Sequence, residues 1–91
     1  MLFRSALIGT IYRLRAGVHQ KRNSIDAAIG DLSFALQLDG QRTLQYLIER
    51  GRMLEAAGRR EQAIADYQQA LELSPNNTDV RNSLTRLKGR T

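Results

Sequence analysis

Two stretches of this chain are written on one template. Ala28-Ile29-Gly30-Asp31-Leu32-Ser33-Phe34-Ala35-Leu36-Gln37-Leu38-Asp39 lies over Ala63-Ile64-Ala65-Asp66-Tyr67-Gln68-Gln69-Ala70-Leu71-Glu72-Leu73-Ser74 at an offset of 35, with Ala, Ile, Asp, Ala, Leu and Leu coinciding. The same offset carries Tyr12 onto Leu47, Arg15 onto Arg50, Ala16 onto Gly51 and Asn23 onto Gly58. Self-similarity at this period is the mark of a repeat architecture, in which one supersecondary unit buries its apolar face against the next.

Each unit reads as two helices. Leu47, Leu54 and Ala57 recur at helical spacing in one segment, and Ala63, Ile64, Tyr67, Ala70 and Leu71 in the next. Gly58 falls between them, where a helix end favours a left-handed residue. Pro75 cannot continue a helix and pushes Ser74 out of helical geometry. In the first unit Asn23-Ser24 supplies the turn and an N-cap, and Asp39-Gly40 the stop. The pattern predicts helices near 6–21, 24–38, 43–57, 60–73 and 78–88. Ala16 and Gly51 sit midway along the first helix of each unit and are expected opposite Ala28 and Ala63, where small side chains let antiparallel helices approach closely. Arg15 precedes Asp31 by 16 residues, and Arg50 precedes Asp66 by the same interval. That doubled spacing predicts two ion pairs within the hairpins, setting helix register and, as exposed pairs, adding only about 0–1 kcal/mol each.

The series Leu47, Gly51, Leu54, Gly58, Ala63, Tyr67, Ala70, Pro75 resembles the tetratricopeptide repeat signature over Leu44 to Asn77. Residues 9–43 match it more loosely: His19 stands where the family favours an aromatic, Leu32 where Tyr67 stands, and Gly40 replaces the Pro. Thr78 to Lys88 resembles a closing helix with Val80, Leu84 and Leu87 on one stripe. The resemblance implies a single all-α domain over 1–91, built as antiparallel helical hairpins stacked in a right-handed superhelix. Two repeat units (about 9–43 and 44–77) are followed by a capping helix at about 78–88. Two units are few, since about three are needed for a stable array. The chain is therefore expected to be the C-terminal end of a longer protein, or else to pack the free face of its first helix, including Leu7, Ile8 and Ile11, on something else. Leu2-Phe3-Arg4-Ser5 also matches what a sequencing adapter encodes in one frame, so Met1 to Ser5 are expected to be foreign.

The resemblance further implies a concave surface lined by the first helix of each unit, which binds an extended or helical peptide. Carried onto this chain, the groove residues are Arg13, Gly17, Gln20, Lys21, Gln45, Ile48, Glu49, Arg52 and Glu55, with Asn82 and Arg86 from the closing helix. Arg13, Arg52 and Arg86 form a basic stripe suited to an acidic segment or a C-terminal carboxylate. The chaperone-tail clamp of some family members needs Lys and Asn at defined groove sites. Gly17 and Glu49 stand at the Asn sites and Asp79 at a Lys site, which argues against that ligand.

Composition sets the remaining bounds. The chain has 91 residues and no Cys, which removes disulfides and cysteine metal sites from consideration. Its 14 basic and nine acidic residues give a net charge of +5, spread along the sequence rather than gathered into a tail. No run approaches the roughly 18 apolar residues of a membrane span, and the opening residues have no clear cleavage site. His19 has no neighbouring ligands at metal spacing and is expected to pack between helices or expose part of its ring. Tyr12, Tyr46 and Tyr67 are spaced for packing rather than for base stacking. No nucleophile elbow, phosphate loop or general-base constellation is present. The expectation is a scaffold that binds a protein or peptide, with no catalysis, cofactor, metal or small-molecule substrate. The first alternative is the regulatory or oligomerising tail of a larger enzyme or signalling protein; nucleic-acid binding ranks lower. A cytoplasmic setting is favoured, and the oligomeric state is open.

Overall fold

The computed structural model describes residues 2–89, without the side chains of Leu2, Phe3 and Ser5. The expectation that Met1 to Ser5 are foreign therefore falls largely outside the described residues. Among the described residues five α-helices follow one another: α1 (Leu2–Lys21), α2 (Ile25–Leu38), α3 (Thr43–Ala56), α4 (Arg60–Leu73) and α5 (Thr78–Lys88). A single 3-10 turn, Gly40–Arg42, joins α2 to α3. Helix α1 packs on α2, α2 on α3, α3 on α4 and α4 on α5, so successive hairpins stack as a helical-repeat superhelix. The molecule measures 42 × 30 × 16 Å, a short slab rather than a sphere.

The two hairpin turns share one backbone device. At the end of α3, Gly58 takes φ +78° while its N–H donates to the Glu55 carbonyl and the Arg59 N–H donates to the Leu54 carbonyl. At the end of α1, Asn23 takes φ 60°, its N–H donates to the Gln20 carbonyl and the Ser24 N–H to the His19 carbonyl. Both are Schellman closures, which satisfy carbonyls that a helix end leaves orphaned. This corrects the expected role of Ser24. It occupies the N-cap position of α2, but its hydroxyl makes no capping bond, and its backbone N–H belongs to the preceding closure. A true side-chain cap occurs at α5, where Asn77 Oδ1 accepts from the Val80 N–H at 3.1 Å.

Other boundaries also shift. Helix α1 starts at Leu2 rather than near residue 6, and α3 ends one residue early, with Ala57 as its cap. Asp39-Gly40 does more than stop α2. Asp39 Oδ1 accepts the Gln41 N–H at 3.2 Å and so caps the 3-10 turn, while Asp39 Oδ2 accepts the Tyr46 hydroxyl at 3.1 Å. Asp39 and Tyr46 are buried there, and burial, followed by the Asp39 carboxylate, pushes the Tyr46 phenol up. Helix α1 reaches this joint through Gly9, where a Cβ would lie 2.8 Å from the Tyr46 hydroxyl and 2.9 Å from Asp39 Cβ. Nothing in the sequence pattern marks Gly9 as a contact residue.

The core has two centres. One gathers Leu47, Leu54, Ala63, Tyr67 and Ala70 with Val80, Leu84 and Leu87 of α5. The other gathers Ala16, Ala28, Leu32 and Ala35 with Tyr46 and Met53 of α3. Ile29 and Leu36 of α2 pack against both and join the hairpins. The group nearest to Gly51 is the Tyr67 ring: a Cβ there would lie 2.7 Å from Tyr67 Cε1. The equivalent positions in the first hairpin are Ala16 and Leu32. A larger residue on one helix is matched by a smaller one on its mate, as close packing requires.

Candidate partner-binding face

One ion pair ties the two helices of each hairpin together. Arg15 Nε and Nη2 donate to Asp31 Oδ2 and Oδ1 at 2.9 and 2.7 Å. Arg50 Nε and Nη2 donate to Asp66 Oδ2 and Oδ1, both at 2.7 Å. This two-pronged fork is the strong geometry for Arg and carboxylate. Both pairs form as expected; their carboxylates are buried, while Arg15 stays exposed and Arg50 is partly buried. The Arg15 hydrogen bond holds the Asp31 carboxyl below the usual carboxylate range, and the same bond raises the Arg15 guanidinium. The Asp66 hydrogen bond likewise raises Arg50. Arg50 also donates to Ser33 Oγ at 3.0 Å and so ties the second hairpin to the first. Arg15 lies over the Tyr12 ring, which packs on Phe34 with centroids 4.7 Å apart. His19 is partly exposed, with Nε2 3.6 Å from Asp31 Oδ2. Among the described residues, no group of three His, Asp or Glu could hold a metal ion.

The first helix of each hairpin and the closing helix are linked by side chains on one face. Arg13 of α1 donates from Nη1 to Glu49 Oε1 of α3 at 3.3 Å, and Gln45 Nε2 donates to the same oxygen at 3.4 Å. Arg86 of α5 approaches Glu55 Oε2 of α3 at 2.8 Å. Glu55 Oε1 accepts the Tyr67 hydroxyl at 3.1 Å. Burial, and next the Glu55 charge, pushes the Tyr67 phenol up to about 12. Both oxygens of Glu55 are thus committed to the fold, which removes it as a free ligand-facing carboxylate.

The other predicted groove residues are placed as follows. Gln20, Lys21, Gln45, Arg52 and Asn82 are exposed, while Ile48 is half-buried against the core centre that holds Leu47, Tyr67 and Val80 and offers only part of its side chain. A Cβ added at Gly17 would meet open space. Of the three expected stripe cations, Arg13 and Arg86 are engaged by glutamates, and Arg52 makes no ion pair among the described residues. The sequence pattern missed these cross-helix pairs because their partners lie 36 and 31 residues apart, with no doubled spacing to expose them.

The back of α1 carries a second feature. Leu7, Ile11, Leu14 and Val18 are 49–63% exposed and follow one another at intervals of four, three and four residues. This revises the expected free face, since Ile8 turns partly inward and Leu14 and Val18 extend the stripe. Among the described residues, no helix is long and apolar enough to cross a membrane.

A tetratricopeptide repeat family model matches residues 44–77. Protein unc-45 homolog B of Mus musculus is 34% identical over 82 residues, which is 90% of this chain and 9% of that protein. The Homo sapiens homologue gives the same figures. The chain therefore spans about a tenth of the length of the curated relatives it matches. Among solved structures, the first TPR of Spaghetti (RPAP3), bound to the HSP90 peptide SRMEEVD, is similar with a TM-score of 0.76 and 27% identity. That likeness covers 89% of this chain and 64% of the other.

Proposed function

The chain belongs to the tetratricopeptide repeat family, and from that premise we propose that it is a non-catalytic interaction module that captures a segment of a partner protein on the face of α1, α3 and α5. The observation that carries this reading is the lining of that face. Its exposed members, Gln20, Lys21, Gln45, Arg52 and Asn82, all carry hydrogen-bond donors, two of them cationic, and Arg52 makes no ion pair among the described residues. A row of donors around an unpaired guanidinium suits a segment carrying carboxylates and exposed carbonyls. The solved relative that holds an acidic peptide supports the same mode of use. The chaperone-tail clamp is not expected here, because Gly17 offers no amide and Glu49 places a carboxylate where one would be received.

The test is a panel of acidic, neutral and basic twelve-residue peptides titrated against the full chain and the Arg52→Glu variant. Acidic peptides are expected to bind, and the reversed charge to weaken them by about tenfold or more, since one charge-assisted contact becomes a repulsion. Binding indifferent to Arg52 would remove this face from consideration.

A further inference from the structure

Besides Arg59–Asp26 and the long Arg42–Asp39 contact, four arginine–carboxylate pairs are present among the described residues, and they differ in kind. Arg15–Asp31 and Arg50–Asp66 are two-pronged, short and repeated at the offset of 35, so they belong to the template of the fold. Arg86–Glu55 is short and locked by Tyr67 on the other oxygen. Arg13–Glu49 differs in each respect. It rests on one oxygen, at 3.3 Å, and shares that oxygen with Gln45 at 3.4 Å. Both distances are long for a charge-assisted bond, which prefers about 2.7–2.9 Å. The second oxygen of Glu49 makes no hydrogen bond among the described residues, and both side chains are partly solvent-accessible. The offset also fails here: Ile48 stands at the equivalent of Arg13, and Leu14 at the equivalent of Glu49. The pair is therefore not something the hairpin needs in order to form.

We propose that Glu49 is a resident carboxylate that occupies Arg13 until a partner's carboxylate displaces it, and so decides which acidic segments the face accepts. The proposal rests on the partner-binding face described above. A segment with a single anionic contact uses Arg52 and leaves the Arg13–Glu49 pair intact. A segment with several carboxylates has to exchange with Glu49, whose negative charge then stands beside the incoming one. The face thus discriminates against densely acidic ligands, although its cations would otherwise welcome them.

The test uses the full chain and the peptide SRMEEVD, labelled at its N-terminus and followed by fluorescence anisotropy. Glu49→Gln keeps the shape and removes the charge, and is expected to raise affinity by about tenfold, the value of one freed charge-assisted contact. Arg13→Gln alone should weaken binding by less than about twofold, because what the peptide gains from Arg13 is largely offset by the repulsion of the displaced Glu49. The double variant should lose the gain. Glu49→Leu, which installs the residue of the equivalent first-hairpin position, should reproduce the gain and guards against a folding artefact. No gain in either Glu49 variant, including no binding by any variant, overturns the proposal, as does a gain that survives Arg13→Gln. If Arg52→Glu abolishes binding while Glu49→Gln changes nothing, the role of Glu49 falls and the face stands. If Arg52→Glu is also without effect on a peptide that binds, the face itself falls.

Discussion

Gly51 and Tyr67 are one packing decision made by two residues. A Cβ at Gly51 would come within 2.7–3.1 Å of three atoms of the Tyr67 ring, a distance that forces the ring or the helix to move. Tyr67 is 1% exposed and has little room to yield. Gly51→Ala is therefore expected to cost about 1–3 kcal/mol, the usual range for overpacking. The first hairpin solves the same crossing with Ala16 and Leu32, both fully buried. Installing that solution in the second hairpin should relieve the clash. In a double-mutant cycle, Gly51→Ala with Tyr67→Leu should be destabilised by less than the sum of the single changes, the coupling falling in the 0.5–3 kcal/mol range for contacting residues. Urea titrations of the four proteins measure it. Strict additivity would mean that the crossing tolerates a methyl group without help from its mate.

At the scale of helices and their joints, what the sequence made legible depended on whether the signal was doubled. The Arg–Asp forks could be read because the same 16-residue interval occurs at matching places, and one coincidence by itself would have meant little. The left-handed turns could be read because Gly and Asn are the residues that tolerate positive φ. At Ser24 the side-chain rule for N-caps fails, because the backbone of the same residue closes the helix before it. The 3-10 turn and its Asp39–Tyr46 joint were invisible, since they depend on a buried tertiary contact rather than local propensity. On the partner-binding face the helices were assigned from the resemblance, but which cations remain free is settled by cross-helix geometry. The Arg15 fork on Asp31 has a measurable result at this scale, because its hydrogen bond lowers the carboxyl pKa against the opposing effect of burial. The folded carboxyl lies below the unfolded value, so as pH falls the unfolded chain takes up the proton first. The stabilisation is complete above the ordinary carboxylate range near pH 4 and is lost as pH drops toward the depressed folded value. Asp31→Asn should therefore be less stable at neutral pH and should show a shallower loss of stability between about pH 4 and pH 2. Parallel acid profiles of the two proteins, followed by urea midpoints, would show that the Arg15 fork contributes nothing across the joint of α1 and α2.

The molecule as a whole has unlike ends. At one end α5 turns Val80, Leu84 and Leu87 inward and leaves Arg81, Asn82, Thr85, Arg86 and Lys88 outside. At the other, α1 leaves Leu7, Ile11, Leu14 and Val18 exposed. The offset of 35 places these four on Arg42, at the end of the 3-10 turn, and on Tyr46, Glu49 and Met53 of α3. Two of those, Tyr46 and Met53, are buried in the core centre that α3 shares with α1 and α2. The same helix face is thus covered in the interior of the stack and bare at its edge. Position in the array, rather than side-chain type, decides whether it contributes to stability. The contrast yields a paired prediction. Replacing Ile11, Leu14 and Val18 together by Gln should change the stability of this chain by no more than about 0.5–1 kcal/mol, because exposed side chains lose little. The same variant should bind less of a dye that reports exposed apolar surface. Tyr46→Ala, at the position equivalent to Ile11, removes a fully buried ring and the hydroxyl bonded to Asp39, and should cost about 3–5 kcal/mol. Urea unfolding of both variants decides the matter. Comparable losses would mean that the stripe on α1 already packs against something in the isolated chain, as it would if two copies paired through it, and the triple variant would then also lower the sedimentation-derived mass.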